Sequence, residues 1–352
     1  MPDDVTPSPA ETWWHPDRFE ARADNLVRRA DMVKKLRAFF DERMYVEVET
    51  PALQVSPGME PHLTAFETSL ADPHGGRRRM YLHTSPEFAM KKLMAAGMRR
   101  IYQLARVWRD GERSWKHHPE FTMLEWYKAG ESWRGLADEA ADLVRALCGP
   151  VARRGDVACD LQGSWEFLSV AEAFGRHTGI DLLATGPDPS APDADMLRFE
   201  ADGIGVRTDD GDAWDDVFFR IFLERIEPQL GIERPVVLHS YPASMAALAR
   251  IDPGDLRVAQ RFEIFVCGLE LANGYGELTD PAEQRVRFEA EIARREGLGR
   301  DAYPVDESFI AALELGLPEC AGIALGFDRL AMLATGAERI EDVLWAPVAG
   351  RD

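Results

Sequence analysis

Gly322-Ile323-Ala324-Leu325-Gly326-Phe327-Asp328-Arg329 reads as a short apolar strand running into a helix whose first turn carries an arginine. Its glycines allow close backbone packing. The arginine offers a planar fork of donors that suits phosphate or carboxylate. Alone, the G-x-x-x-G spacing is a weak signal. It gains weight from two segments upstream. One is Arg109 followed by His117-His118-Pro119-Glu120-Phe121-Thr122-Met123-Leu124-Glu125, and the other is Glu270-Leu271-Ala272-Asn273-Gly274-Tyr275-Gly276-Glu277. Together they supply Arg109 and Arg329 for a triphosphate, Phe121 for a purine face, and Glu270 and Glu277 for a divalent metal. That set points to ATP-dependent activation of a carboxylic acid.

The composition fits this reading. The chain has 352 residues, 45% of them hydrophobic, enough for one large catalytic domain with a packed core. No apolar run of about 18 residues occurs, so no membrane span is predicted. Residues 1–15 are read as a frayed tail. Their beginning is polar, without the basic-then-apolar order of a signal peptide. Cys148, Cys159, Cys267 and Cys320 stand far apart with no C-x-x-C pair, which predicts a reduced, cytoplasmic setting and no zinc site. The formal net charge of −20 argues against a nucleic acid as the main partner, because phosphate binding needs a basic surface.

Outward from the opening stretch, the periodicity predicts a helix over 24–42 and a strand over 45–49 ending at Pro51. A hairpin is expected around Asp72-Pro73-His74-Gly75-Gly76, with strands at 66–70 and 80–84. Pro86 opens a helix over 86–96. Strands follow at 100–108 and 121–128, with the polar segment 110–118 looping between them. Further helices are expected over 132–147, 212–230, 281–296, 309–315 and 328–336. Cys267-Gly268 reads as a two-residue turn between strands at 261–266 and 269–273. Asn273-Gly274 reads as a second turn, able to bring Glu270 and Glu277 to one pocket. Residues 186–195, rich in proline and aspartate, read as a surface insertion. The pattern predicts an α+β fold, a largely antiparallel sheet flanked by helices, in one catalytic domain over 16–352.

Each candidate residue carries a plainer reading beside the functional one. Arg109 is either a surface arginine at a strand end or a phosphate ligand. Phe121, Met123 and Glu125 share one strand face, which is either the wet face of an edge strand or a nucleotide platform. Ser85 is either an N-cap or a substrate contact, and Glu87 either complements a helix dipole or holds a substrate amine.

These residues resemble a known family, the class II aminoacyl-tRNA synthetases. Residues 28–51 resemble motif 1, 106–127 motif 2 and 322–329 motif 3. The wording His118-Pro119-Glu120-Phe121-Thr122-Met123-Leu124-Glu125-Trp126-Tyr127, with that of 270–280, is similar to the lysyl branch. An anticodon-binding OB-fold takes about 100 residues, and motif 1 begins here at Arg28, so the expectation is a chain without that module. The resemblance then narrows to the stand-alone paralogues that activate β-lysine with ATP and join it to a lysine ε-amine of elongation factor P.

This resemblance implies a set of roles. Ser85, Pro86, Glu87, Tyr127, Glu277 and Ala324 face the amino acid, lysine or β-lysine. Arg109, Asp110, Gly111, His118, Phe121, Glu270, Leu271, Gly326 and Arg329 contact ATP, and Glu270 and Glu277 hold Mg²⁺. It further implies a homodimer built on motif 1, elongation factor P as acceptor, and no role for tRNA. Ala324 stands where tRNA-charging lysyl enzymes carry glycine, and one methyl in a tight pocket discriminates by about 1–3 kcal/mol. The chain departs from the family at Asp110-Gly111, where Asn-Glu is usual, at His118, where asparagine is usual, and at Lys116, often an arginine or aromatic. These departures bear on the adenine-edge and γ-phosphate contacts. Two rival functions remain at this point: a synthetase-like enzyme acting on tRNA or another amine, and a non-catalytic amino-acid sensor.

Overall fold

The computed structural model describes residues 12–60 and 62–348. Residues 1–11 of the expected tail lie outside them. Thr12 is buried and its carbonyl accepts from the His15 N–H at 3.1 Å, forming a turn ahead of the first helix.

Helix α1 (Pro16–Glu42) starts earlier than its apolar spacing suggested, because Pro16 provides a first-turn proline with φ preset for a helix. Short strands β1 (Val46–Glu47) and β2 (Leu53–Gln54) follow, and then the expected hairpin, β3 (Glu67–Ala71) and β4 (Arg77–Leu82). Asp72 Oδ1 closes its turn by accepting from the His74 and Gly76 N–H groups. Helix α2 (Glu87–Ala95) has Pro86 as its cap residue. Next come β5 (Arg100–Trp108), β6 (Glu120–Ala129), α3 (Trp133–Cys148), and the pair β7 (Val151–Arg154) and β8 (Val157–Asp160). Strand β9 (Glu166–Ser169) leads to α4 (Val170–Thr178), α5 (Ala194–Gly203) and α6 (Trp214–Ile221). Residues 186–193 connect the turn Leu182–Thr185 to α5, whose first two residues are 194 and 195, and Asp193 caps that helix by accepting from the Met196 N–H at 2.9 Å. After α6 the expected helix changes pitch, with a π-helical turn at Phe222–Ile226 and a 3₁₀ turn at Glu227–Gln229. The chain ends with β10 (Val236–Pro242), β11 (Val258–Val266), β12 (Leu269–Gly276), α7 (Pro281–Gly297), α8 (Glu307–Gly316), β13 (Cys320–Gly326) and α9 (Phe327–Thr335).

The main sheet runs β1-β5-β6-β13-β12-β11-β10-β9. It is antiparallel except at its margins, where β1 pairs with β5 and β9 with β10 in parallel. This is the predicted α+β architecture. Strand β6 alternates as expected: Leu124 and Trp126 enter the core with α1, α3 and α9, while Phe121, Met123, Glu125 and Tyr127 face a cavity on the opposite side.

One expected turn is absent. Asn273-Gly274 lies inside β12, paired on both sides, with Asn273 opposite Glu263 and Ala324. Gly274 serves packing instead of turning: a Cβ there would fall 2.4 Å from Phe262 Cζ and 3.0 Å from the Gly322 carbonyl. The turn at Cys267-Gly268 does form, with positive φ at both residues (53° and 69°) as a two-residue hairpin requires.

Candidate active site

The inner face of β6, β13, β12 and β11 floors a cavity of about 390 Å³. Residues 57–60 and Leu63, the start of α2, the loop 109–118 and the helical segment 219–227 wall it. Of the residues expected from sequence, Ser85, Glu87, Arg109, His118, Phe121, Tyr127, Glu270, Leu271, Glu277, Ala324, Gly326 and Arg329 line it. Pro86, Asp110 and Gly111 do not. Pro86 caps α2. Asp110 and Gly111 are exposed beyond the rim, the Asp110 N–H donating to the Thr64 carbonyl at 2.7 Å.

One end of the cavity is cationic. Arg109 lies over the Phe121 ring, 5.2 Å from its centroid, and its buried Nε has no partner. Glu112 is its nearest counter-ion, at 3.7 Å. Arg329 Nη1 donates to the Glu270 carbonyl at 2.8 Å, with the Glu270 carboxylate 3.5 Å away. Lys116 enters from the loop and reaches Glu227 at 3.2 Å. His117 is pushed down to about 4 by burial, with Arg329 and Lys116 adding repulsion, so it is neutral near pH 7. Two arginines, one of them (Arg109) with an unpartnered N–H, and a lysine have the chemistry that suits an anion.

His118 is placed at the site but differs from the expectation in chemistry. Its Nδ1 lies 2.6 Å from the Glu120 carbonyl and its Nε2 accepts from the Val348 N–H at 3.2 Å. That network makes Nδ1 the donor and Nε2 the acceptor, so both nitrogens are engaged within the protein. The ring borders the cavity without offering it a free polar atom.

The other end is acidic and deeply buried. Ser85 Oγ donates to Glu125 Oε1 at 2.5 Å, and Tyr127 OH to Glu125 Oε2 at 3.1 Å. Burial and the nearby Glu87 push the Glu125 carboxyl up to about 8, against the pull of Ser85 and Tyr127. Burial pushes Glu277 up to about 7, opposed by Lys91 and reinforced by Glu87. Lys91 stands between Glu87 and Glu277, 2.5 Å from each. Burial disfavours its charge, but Glu277 and Glu87 hold the ammonium above its ordinary range. Gly322 makes room here: a Cβ on it would fall 2.2 Å from Glu277 Oε1 and from Tyr127 Cε1. The space over this glycine is therefore filled by side chains of the acidic end.

The expected metal pair does not form. Because β12 continues through Asn273-Gly274, Glu270 and Glu277 stand at opposite ends of the strand, roughly 20 Å apart along the backbone. A bulge explains how both still line one cavity. Glu270 pairs with Phe265 and Ala272 with Ile264, which leaves Leu271 unpaired and shifts the alternation by one residue. Mg²⁺ holds its oxygens at about 2.0–2.1 Å, so these two carboxylates cannot share one ion. Among the described residues no cluster of three or more His, Cys, Asp or Glu could hold a metal. Glu270, 40% exposed in its side chain and beside Arg329, has the donor chemistry that Mg²⁺ uses when phosphates supply the other oxygens. Glu277, in contact with an ammonium, does not.

Comparison with known proteins agrees with this geometry. The family model described as tRNA synthetases class II (D, K and N) matches residues 12–349. The chain belongs to this family. It is 41% identical over 336 residues to the elongation factor P–(R)-β-lysine ligase of Hamiltonella defensa, covering 95% of this chain and 97% of that one. It is likewise 41% identical over 338 residues to the ligase of that name from Proteus mirabilis, with 95% and 97% covered. The one from Klebsiella pneumoniae is 40% identical over 336 residues, with 94% and 96% covered. Segments 28–51, 106–127 and 322–329, which resemble the class II motifs, all contribute to one core.

The structure adds residues that the sequence reading passed over. Asn273 and Tyr275 face the cavity, Asn273 Nδ2 donating to Tyr275 OH at 3.0 Å while its Oδ1 is buried without a partner. Strand parity with Glu277 was the available signal, obscured by reading Asn273-Gly274 as a turn. Arg261 and Glu263 pair at 2.7 Å beneath them, and burial, with Glu270 nearby, pushes Glu263 up to about 7 against the pull of Arg261. Glu60 reaches the wall from a loop, and Phe219, Leu223 and Glu227 from α6 and the helical turns after it; no local pattern marks them.

Proposed function

We propose that this chain activates (R)-β-lysine, or lysine, with ATP and transfers the aminoacyl group to a lysine ε-amine of elongation factor P. The observation that carries this reading is the polarity of this cavity: arginines and an aromatic ring at one end, buried carboxylates at the other. A nucleotide triphosphate fits the first, and an amino acid with an extra ammonium fits the second. The relatives that match nearly end to end carry that ligase name.

In this reading Phe121 stacks on adenine and Arg109 lies against the α-phosphate. Arg329 and Lys116 hold the departing phosphates. The substrate amine enters among Glu87, Glu277, Ser85 and Tyr127, with Ala324 on the floor beside it. Glu270 would hold Mg²⁺, which supplies neutralisation of phosphate charge. The amino-acid carboxylate attacks the α-phosphorus and pyrophosphate departs, leaving a mixed anhydride. Arg109 meets the charge that builds there. The acceptor amine then attacks the carbonyl, giving an amide and AMP. Positioning supplies the rate and no protein nucleophile is required. A homodimer through α1, a cytoplasmic setting, and a single domain over 16–352 with 186–195 as an insertion complete the proposal.

The test is pyrophosphate–ATP exchange with each lysine isomer, followed by transfer of labelled amino acid to elongation factor P or to tRNA. Exchange with a lysine isomer and stable label on elongation factor P are expected. Absence of exchange with every isomer would leave the sensor reading. Label retained by tRNA alone would move the acceptor.

A further inference from the structure

Lys91 takes no part in the proposed substrate contacts, yet it is 1% exposed and among the largest fully buried side chains. A buried lysine demands compensation, since desolvating an isolated ammonium costs several kcal/mol. Here the compensation is double. Lys91 Nζ donates to Glu87 Oε1 at 2.5 Å, one helical turn back along α2, and lies 2.5 Å from Glu277 Oε2 at the end of β12. The second contact is a buried ion pair, with the Lys91 ammonium against the Glu277 carboxylate. Glu277 Oε1 instead points over Gly322 beside Tyr127. Each carboxylate therefore gives one oxygen to the lysine. Glu277 keeps a second oxygen, Oε1, with no hydrogen-bond partner, and Glu277 itself lines the cavity.

We propose that Lys91 is a positioning residue that fixes both the place and the charge of the substrate-amine site. With both carboxylates ionised, Glu87 and Glu277 carry −2 and Lys91 carries +1, leaving −1: a site matched to one ammonium. Lys91 also occupies the depth between the two carboxylates. Without it, that depth is the best place for the substrate's own ammonium. The amino acid would then sink toward α2, drawing its carboxylate away from Arg109 and the α-phosphate. A misplacement of about 1 Å is enough to cost about a hundredfold in rate. The inference rests on the proposal that this cavity takes a lysine-type amine. The two fail separately: the functional reading fails in the wild-type protein, which would show no lysine-dependent exchange, and the Lys91 inference fails only in variants of an active protein.

The experiment compares wild type, Lys91→Met and Lys91→Arg in amino-acid-dependent pyrophosphate exchange, with and without added methylammonium. In Lys91→Met, KM for the amino acid should rise about ten- to a hundredfold and kcat should fall, with KM for ATP held within about twofold. Methylammonium should restore the exchange by filling the vacated site, which a merely structural lysine would not allow. Lys91→Arg keeps the charge but moves its centre, so it should raise KM for the amino acid less than the methionine variant does. It serves as the readout if Lys91→Met does not fold. An unchanged amino-acid KM in either folded variant would overturn the proposal. So would a parallel rise in both KM values, or a folded Lys91→Met that methylammonium leaves unimproved.

Discussion

Arg29 of α1 and Asp328 of α9, 299 positions apart, form a buried ion pair that also holds β6. Asp328 Oδ2 accepts from the Thr122 N–H at 2.6 Å, and Arg29 Nη2 donates to Thr122 Oγ1 at 3.0 Å. The Arg29 guanidinium lies 4.9 Å from the centroid of the Phe327 ring. One small cluster thus joins the three segments that resemble motifs 1, 2 and 3. It sets Arg329, the next residue, at the end of the cavity opposite Glu277.

Removing one member of this cluster leaves a charge behind. Asp328→Ala strands the Arg29 guanidinium and orphans the Thr122 N–H, so it should destabilise the fold by about 3–5 kcal/mol. The double variant Arg29→Met with Asp328→Ala removes the stranded charge and should recover a large part of that loss. Urea unfolding of wild type, single and double variants measures both quantities. A single variant within about 1 kcal/mol of wild type, or a double variant less stable than the single, would contradict the buried-pair argument.

The separation of Glu270 from Glu277 predicts that their conservative variants fail in different ways. Glu270→Gln should raise the Mg²⁺ concentration for half-maximal exchange by about tenfold and leave KM for the amino acid nearly unchanged. Glu277→Gln should raise the amino-acid KM by about ten- to a hundredfold and leave the Mg²⁺ dependence alone. Removing magnesium with a chelator should abolish exchange in both. Identical shifts in Mg²⁺ dependence for the two variants would mean that both carboxylates reach the metal, against the geometry of β12.

Much of this arrangement was legible in the chain itself, and the reason is local. Alternation along 121–127 separated Leu124 and Trp126 from Phe121, Met123 and Glu125, because a strand with one face in the core has no freedom in register. Cys267-Gly268 was readable because a two-residue hairpin demands positive φ. Asn273-Gly274 misled for a physical reason: glycine also appears where a neighbour needs the space, here Phe262. Lys91 was hidden because the helix over 86–96 is read with or without it, and half of what compensates its burial, Glu277, comes from a distant strand. Phe219, Leu223 and Glu227 were equally invisible. Their place at the cavity depends on how the segment after α6 docks, which no spacing within that segment records.

Glu125 gives the site a pH signature. Its carboxyl rises from an ordinary 4.5 to about 8, through burial first and Glu87 second. Between those values the folded chain keeps a proton that the unfolded chain has released. Stability must then fall as pH rises through that window, by at most roughly 1.4 kcal/mol per pH unit from this group. Glu125→Gln has nearly the size of the protonated acid and does not titrate. Relative to wild type, the variant should therefore gain stability steadily from pH 5 to pH 8 and level off above. Comparing the two proteins at each pH cancels the titrations they share, those of Glu277 and Glu263 included. Urea midpoints at pH 5, 6, 7 and 8 provide the measurement. A difference that stays flat across the series, or one that shrinks as pH rises, would show that Glu125 is ionised in the folded protein and that the acidic end of the cavity carries one more negative charge.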